Sequence, residues 1–199
     1  LTHRERRLQP MYGIVTRDEA ETEWNDFETA FYEVKEVSGR SAEPIEGAVS
    51  SISCFGDNAA VEERPELAAV TPEGQRATPE RDEFDLAHVC PTNDEYREGL
   101  LEIIADCVEV SPDVRLDDVG FPEADYCYCD RCNERFEAWV VARHERADGP
   151  PPERTTIEDR RAWRASVITG FIEAAARLVP GRLHVTLHPD PDADRLHER

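Results

Sequence analysis

"VRLDDVGFPEADYCYCDRC", residues 114–132, runs from a short strand-like segment into a cysteine triplet. Side chains alternate along a strand, so Arg115 and Asp117 share one face of "VRLDDV" and Leu116 and Asp118 share the other. The triplet Cys127, Cys129 and Cys132 follows the pattern C-x-C-x₂-C. A redox pair, a disulfide framework and a metal clamp all use cysteine. No apolar signal-peptide stretch opens the chain, so its six cysteines read as thiols or metal ligands rather than disulfides. A redox C-x₂-C would be expected to open a helix after a thioredoxin-like strand, and this one does not. Three reduced, unligated cysteines remain an alternative, but the spacing points to zinc.

A closed tetrahedral zinc site with Zn–S bonds of about 2.3 Å needs a fourth ligand. Cys90 is the expected one, because it precedes the helix whose following strand leads into the triplet, and a βα unit brings such strand ends side by side. Cys54, at the end of an earlier strand candidate, is the reserve, and Cys107 lies on the apolar face of a helix as a small buried hydrophobe. With four sulfur ligands (Cys90, Cys127, Cys129, Cys132) the ion keeps no open position, so a structural Zn²⁺ is expected to clamp the loop 120–133 rather than perform a reaction.

Outward from this stretch, Trp24, Phe27, Phe31 and Val34 recur at spacings of three and four, which predicts an amphipathic helix over 18–37. "EGAVSSISCFG" (46–56) reads as a strand, and residues 57–92, with Pro65, Pro72, Gly74 and Pro79, read as a long loop with room for one helical turn, of a kind that is usually functional or mobile. Asn93 caps a predicted helix through Val110, with Tyr96, Leu100, Ile103, Ile104 and Cys107 on one face. Helices from Asp130 to about Arg146 and from Ile157 to about Leu178 follow, and "GRLHVTLHPD" is the last strand. This alternation predicts an α/β fold with a parallel sheet. No G-x-G-x-x-G follows a strand, which removes a Rossmann nucleotide site. A (β/α)₈ barrel takes about 250 residues. The expectation is therefore one partial or minimal TIM-like barrel domain over 1–199, incomplete, with a zinc-clamped loop. A missing barrel half or a second copy of the chain would cover its open edges.

The net charge of −21 is spread along the whole chain, and Lys35 is the single lysine. In molar salt the screening length falls to about 3 Å, which relieves such self-repulsion. The balance predicts an acidic, halophilic, cytoplasmic protein. It argues against nucleic acid, which needs a basic face, and no apolar run approaches a membrane span.

"HVCPTNDEYREGLLEII", "VRLDDVGFP" and "YCYCDRCNERFEAW" together resemble the middle of glycosyl hydrolase-like TIM barrels and, more distantly, the family 42 β-galactosidases. "ISCFGDN", "PELAAVTPEGQR" and "HVTLHPDP" fit the same order. The resemblance implies a carbohydrate substrate and a four-cysteine zinc that maps onto Cys90, Cys127, Cys129 and Cys132. Where family 42 carries Asn-Glu at the end of the fourth strand, this chain carries Asp117-Asp118.

In a β/α barrel, chemistry sits at the carboxyl ends of the strands. Asp117, Asp118 and His188 are the expected catalytic groups, with Asp117 first. Arg115, Asp57, Asn58, His184 and Asp190 are the expected substrate contacts. A metallohydrolase using His184 and His188 is set aside, because residues four apart on a strand lie about 13 Å apart. The leading expectation is a glycoside hydrolase-like protein. The alternative is a carbohydrate-binding or scaffold protein that kept the barrel units without the reaction.

Overall fold

In a computed structural model, residues 12–24, 26–82, 84–122, 126–146 and 154–186 are described. Strands β1 (Gly13–Thr16), β2 (Thr29–Glu36), β3 (Gly39–Arg40) and β4 (Val49–Ser53) come first, followed by helices α1 (Asn58–Glu63) and α2 (Asp94–Val110). Strand β5 (Val114–Asp117), helices α3 (Asp130–Arg146) and α4 (Ile157–Leu178) and strand β6 (Leu183–Val185) complete the order. The strands form one sheet in the order β1-β2-β4-β5-β6, every neighbouring pair parallel, with β3 added antiparallel on β2. The fold is α/β, a partial TIM-like barrel, as the alternation of strand and helix predicts.

The first predicted helix is wrong. Residues 19–23 form a short 3₁₀ turn and Thr29–Glu36 is a strand. The period-three spacing of Trp24, Phe27, Phe31 and Val34 misled, because "TAFYEV" also alternates. Tyr32 and Val34 enter the core at 9% and 0% exposure, while Phe31 and Glu33 face the other side. β-branched and aromatic residues favour that choice once flanking strands exist to pair with. The region 57–92 holds α1 and two 3₁₀ turns, and antiparallel bridges join Gly56 to His88, Ala68 to Val89 and Val70 to Arg76.

The other helices follow their sequence signals. The Asn93 side chain accepts from Tyr96 N at 3.0 Å and so caps α2. Tyr96, Leu100, Ile104 and Cys107 then present one buried stripe. Thr156 and Asp159 form a reciprocal capping box at the start of α4. The main core lies between the helices and one sheet face: Val34, Ile52, Val114 and Leu116 from strands meet Leu100, Ile104, Phe171 and Ala175 from α2 and α4. Each such side chain contributes about 1.5–3 kcal/mol by leaving water.

The opposite face is concave. Phe31 on β2 and His184 on β6 have two strands between them, which in a flat sheet at about 4.8 Å per strand would separate them by about 14 Å. Their rings instead meet edge to face at 5.4 Å, and the Arg115 guanidinium lies 5.7 Å from the Phe31 ring. Only a curled sheet allows this contact. No helix among the described residues is long and apolar enough to cross a membrane.

The single lysine is inside. Lys35 Nζ lies 2.9 Å from Asp57 Oδ2, with both side chains 4% exposed, and donates to Ser53 O at 2.8 Å. Tyr96 Oη donates to the same Asp57 oxygen at 2.7 Å, and its own proton is held above the ordinary range by burial and by that carboxylate. This group joins the ends of β2 and β4 to α1 and α2. Removing one partner of a buried pair leaves an uncompensated charge. Asp57→Ala is expected to cost about 3–5 kcal/mol in urea unfolding, and Lys35→Met/Asp57→Leu together markedly less than the sum of the two single changes.

Candidate functional site

Strand registers build a polar row across the concave face: Glu33 pairs with Ser51, Ser51 with Arg115, and Arg115 with His184. One step nearer the carboxyl ends, Ser53 pairs with Asp117. Arg115 is the hub. It donates to Thr186 Oγ1 at 2.8 Å, to Ser51 Oγ at 2.8 Å and to Asp117 Oδ2 at 2.5 Å. A guanidinium offers five donors in a rigid fork, which suits it to fix a carboxylate and two hydroxyls at once. Asp117 is therefore held at the end of β5 as an oriented acceptor, and its Oδ1 also accepts from Asp118 N at 3.1 Å.

Asp118 does not continue the strand alternation. It adopts φ of 48°, the left-handed region that Asp tolerates better than most residues. This turns its carboxylate toward β4, where Oδ2 lies 2.6 Å from Ser53 Oγ. Asp117 and Asp118 thus both reach the same rim, by different backbone routes.

Several expected site residues have other partners. Asp57 is buried with Lys35 and Tyr96, and its second oxygen accepts from Ala60 N at 2.8 Å as the α1 cap, so it is closed to a ligand. Asn58 donates to Asp85 O at 3.0 Å and accepts from Ala87 N at 2.7 Å, a clasp on the loop rather than a substrate contact. His184 packs on Phe31, and Arg115 is engaged within the concave face. His188 and Asp190 lie outside the described residues.

The four cysteines do converge. Ligand atoms of Cys90, Cys127, Cys129 and Cys132 all lie within 4.8 Å of one another. Cys90 Sγ is 3.4 Å from Cys132 Sγ and 3.7 Å from Cys129 Sγ. A tetrahedral ion with metal–sulfur bonds of about 2.3 Å requires S···S edges of about 3.8 Å, so the cluster fits a metal ion of that size. Cys54 and Cys107 are buried in the main core, and burial pushes both thiols up. Within the cluster, hydrogen bonding to Cys127 drives Cys132 and Cys90 up and Cys129 down. Four sulfurs this close resist common ionisation unless a cation shares their charge.

Backbone pairing brings the two stretches together: Cys90 N donates to Leu67 O at 2.8 Å and Tyr128 N to Val70 O at 2.8 Å, while Val70 N points at Cys127 Sγ at 3.3 Å. Sequence reasoning missed the surroundings. Thr92, fully buried, sets its Oγ1 3.1 Å from Cys90 Sγ and 3.2 Å from Cys132 Sγ. Arg160 lies 4.5 Å from the Tyr128 ring and 4.1 Å from that of Phe136, and Arg164 lies 5.5 Å from that of Phe121. Both guanidinium groups are pulled below their ordinary value by burial. Their i, i+4 spacing in "RRAWR" was the available signal.

His88 was also missed. Its Nε2 lies 3.6 Å from Asp82 Oδ2, with side chains 14% and 18% exposed, and it stands two residues before Cys90. By contrast, a cleft of about 440 Å³ lined by Trp24, Phe27, Asp113 and Arg182 lies at the amino ends of the strands, away from the carboxylates.

The profile of a family described as "Domain of unknown function (DUF4838)" matches residues 4–143. No curated protein matches the chain significantly. Among solved structures, a hypothetical protein from Ruminiclostridium thermocellum ATCC 27405 is similar at 17% identity and a TM-score of 0.51, over 81% of this chain and 85% of that one. Alpha-L-fucosidase isoenzyme 2 from Paenibacillus thiaminolyticus is similar at 14% identity and a TM-score of 0.59, over 87% of this chain. The chain spans 29% of the fucosidase's length. At these identities the likeness is one of fold alone.

Adding Co²⁺ to metal-free protein is expected to give the intense thiolate charge-transfer absorption and visible bands of a tetrahedral four-sulfur site. Cys129→Ala should lose the tetrahedral pattern, whereas Cys107→Ala should retain it.

Proposed function

The chain belongs to the DUF4838 domain family, and from that premise we propose that it is a glycoside hydrolase-like protein acting on carbohydrate, with a structural zinc at the rim of its site. The observation that carries the reading is the placement of Asp117 and Asp118 at the carboxyl end of β5, on the concave polar face of a glycosidase-like sheet. In β/α barrels that rim is where reacting groups stand, and glycoside hydrolysis needs carboxyl groups there. Asp117, held by Arg115 as an oriented acceptor, suits a base or nucleophile. Asp118, bonded to a serine hydroxyl, is the second carboxyl group. The carbohydrate class is supported by the fold of the fucosidase and by the family 42-like cysteine pattern.

Cys90, Cys127, Cys129 and Cys132 would hold the zinc. With four thiolates it supplies no Lewis-acid position, and its contribution is to pin the loop beside the rim. Thr92 places a hydroxyl against two of the sulfurs, and Arg160 and Arg164 bring positive charge to the aromatic wall around them.

A second reading is a carbohydrate-binding scaffold without turnover. The 2.5 Å Arg115–Asp117 contact favours it, because one carboxylate oxygen is already occupied by the guanidinium rather than open to a substrate.

Aryl glycosides assayed in molar salt decide between them. The native protein should cleave at least one, and Asp117→Asn should lower kcat by about a hundredfold or more with an unchanged unfolding midpoint. Full turnover in Asp117→Asn would reject its role, and an inert folded protein that still binds sugar would select the scaffold.

The charge of −21 supports a salt-rich, cytoplasmic setting. On this reading the urea midpoint rises steadily between about 0.1 M and about 3 M KCl, as screening removes self-repulsion. Elemental analysis should find one zinc per chain.

A further inference from the structure

We propose that His88 is a third member of the carboxyl-end site, an imidazole that faces the Asp118 carboxylate and is oriented by Asp82. The proposal rests on reading that rim as the reacting face.

Its basis is a short antiparallel bridge. Gly56, just past β4, opposes His88 directly, and the flanking hydrogen bonds run from Asp57 N to Ala87 O at 2.9 Å and from Val89 N to Phe55 O at 2.8 Å. This pattern makes Gly56 and His88 a non-hydrogen-bonded pair, the type whose Cα atoms approach to about 4.5 Å and whose side chains project to the same side. Ala87 and Val89 are both fully buried in the main core, so His88 between them projects away from it.

The space on that side of Gly56 is already filled. A β-carbon on Gly56 would lie 2.9 Å from Asp118 Oδ2 and 3.0 Å from its Cγ. The Asp118 carboxylate therefore takes the position that a side chain at residue 56 would have occupied, directly across from His88. The left-handed backbone of Asp118 and the Ser53 hydroxyl deliver it there. Asp82, from the 3₁₀ turn of the same loop, lies 3.6 Å from Nε2 of the imidazole. The imidazole and the Asp118 carboxylate thus share one side of the bridge at the rim of the polar concave face, with Asp82 beside the ring. This would also explain why position 56 is a glycine: any side chain would displace the carboxylate.

Nitrogen-resolved NMR of the imidazoles reads the arrangement without reference to turnover, with His88→Gln assigning the resonances. Asp118→Asn and Gly56→Ala are each expected to shift the His88 ring nitrogens, and Asp82→Asn to change their tautomer balance, with the His144 signals unmoved as the control. His88 signals unchanged in Asp118→Asn would overturn the proposal. If the native protein cleaves nothing, the hydrolase reading fails, and the ring resonances alone decide whether His88 and Asp118 form a pair.

Discussion

Four sulfur atoms from two separated stretches meet within 4.8 Å, and much of the rim is organised around that meeting. Cys90 closes the segment that pairs with residues 55–57 and 67–69, while Cys127, Cys129 and Cys132 lead into α3. Holding them together fixes the loop between β4 and α2 against the loop after β5. Four neighbouring thiolates repel, so the arrangement needs positive charge close by. A bound cation satisfies that need most directly. Arg160 and Arg164, stacked on Tyr128, Phe121 and Phe136, add charge from α4. One clamp thus joins the loop, the third helix and the fourth.

Inside the rim the constraint is curvature. The contact between Phe31 and His184 across two intervening strands exists only because the sheet curls, and the curl turns a row of polar side chains toward one another. Arg115 stands at the centre and binds a hydroxyl on each side and a carboxylate above. The same residue that lets the concave face carry charge also sets the direction of Asp117. A buried Lys35–Asp57 pair does the corresponding job on the core side, where it ties the strand ends to the helices behind them.

Much of the fold was legible residue by residue. The Asn93 cap and the stripe from Tyr96 to Cys107 announce α2, because caps and helical periodicity are local chemistry. Trp24 to Val34 misled because a run rich in aromatic and β-branched residues satisfies both periods, and neighbouring strands decided between them. The site was legible in part. The four cysteines were found from spacing, whereas Asp57 and Asn58 were misread: strand-end polar residues serve equally as caps and clasps, and only their partners distinguish the two uses.

By itself, then, the sequence determined α2, α3 and α4, the alternation that makes the sheet parallel and the thiol set able to share one ion, since each depends on residue type and short spacing. Tertiary structure alone decided that Lys35 would be buried, that Asp118 would leave its strand and lie over Gly56, and that His88 would face it. These outcomes depend on which distant backbones come within a few ångströms, and that distance is set by the curl of the sheet rather than by any local preference.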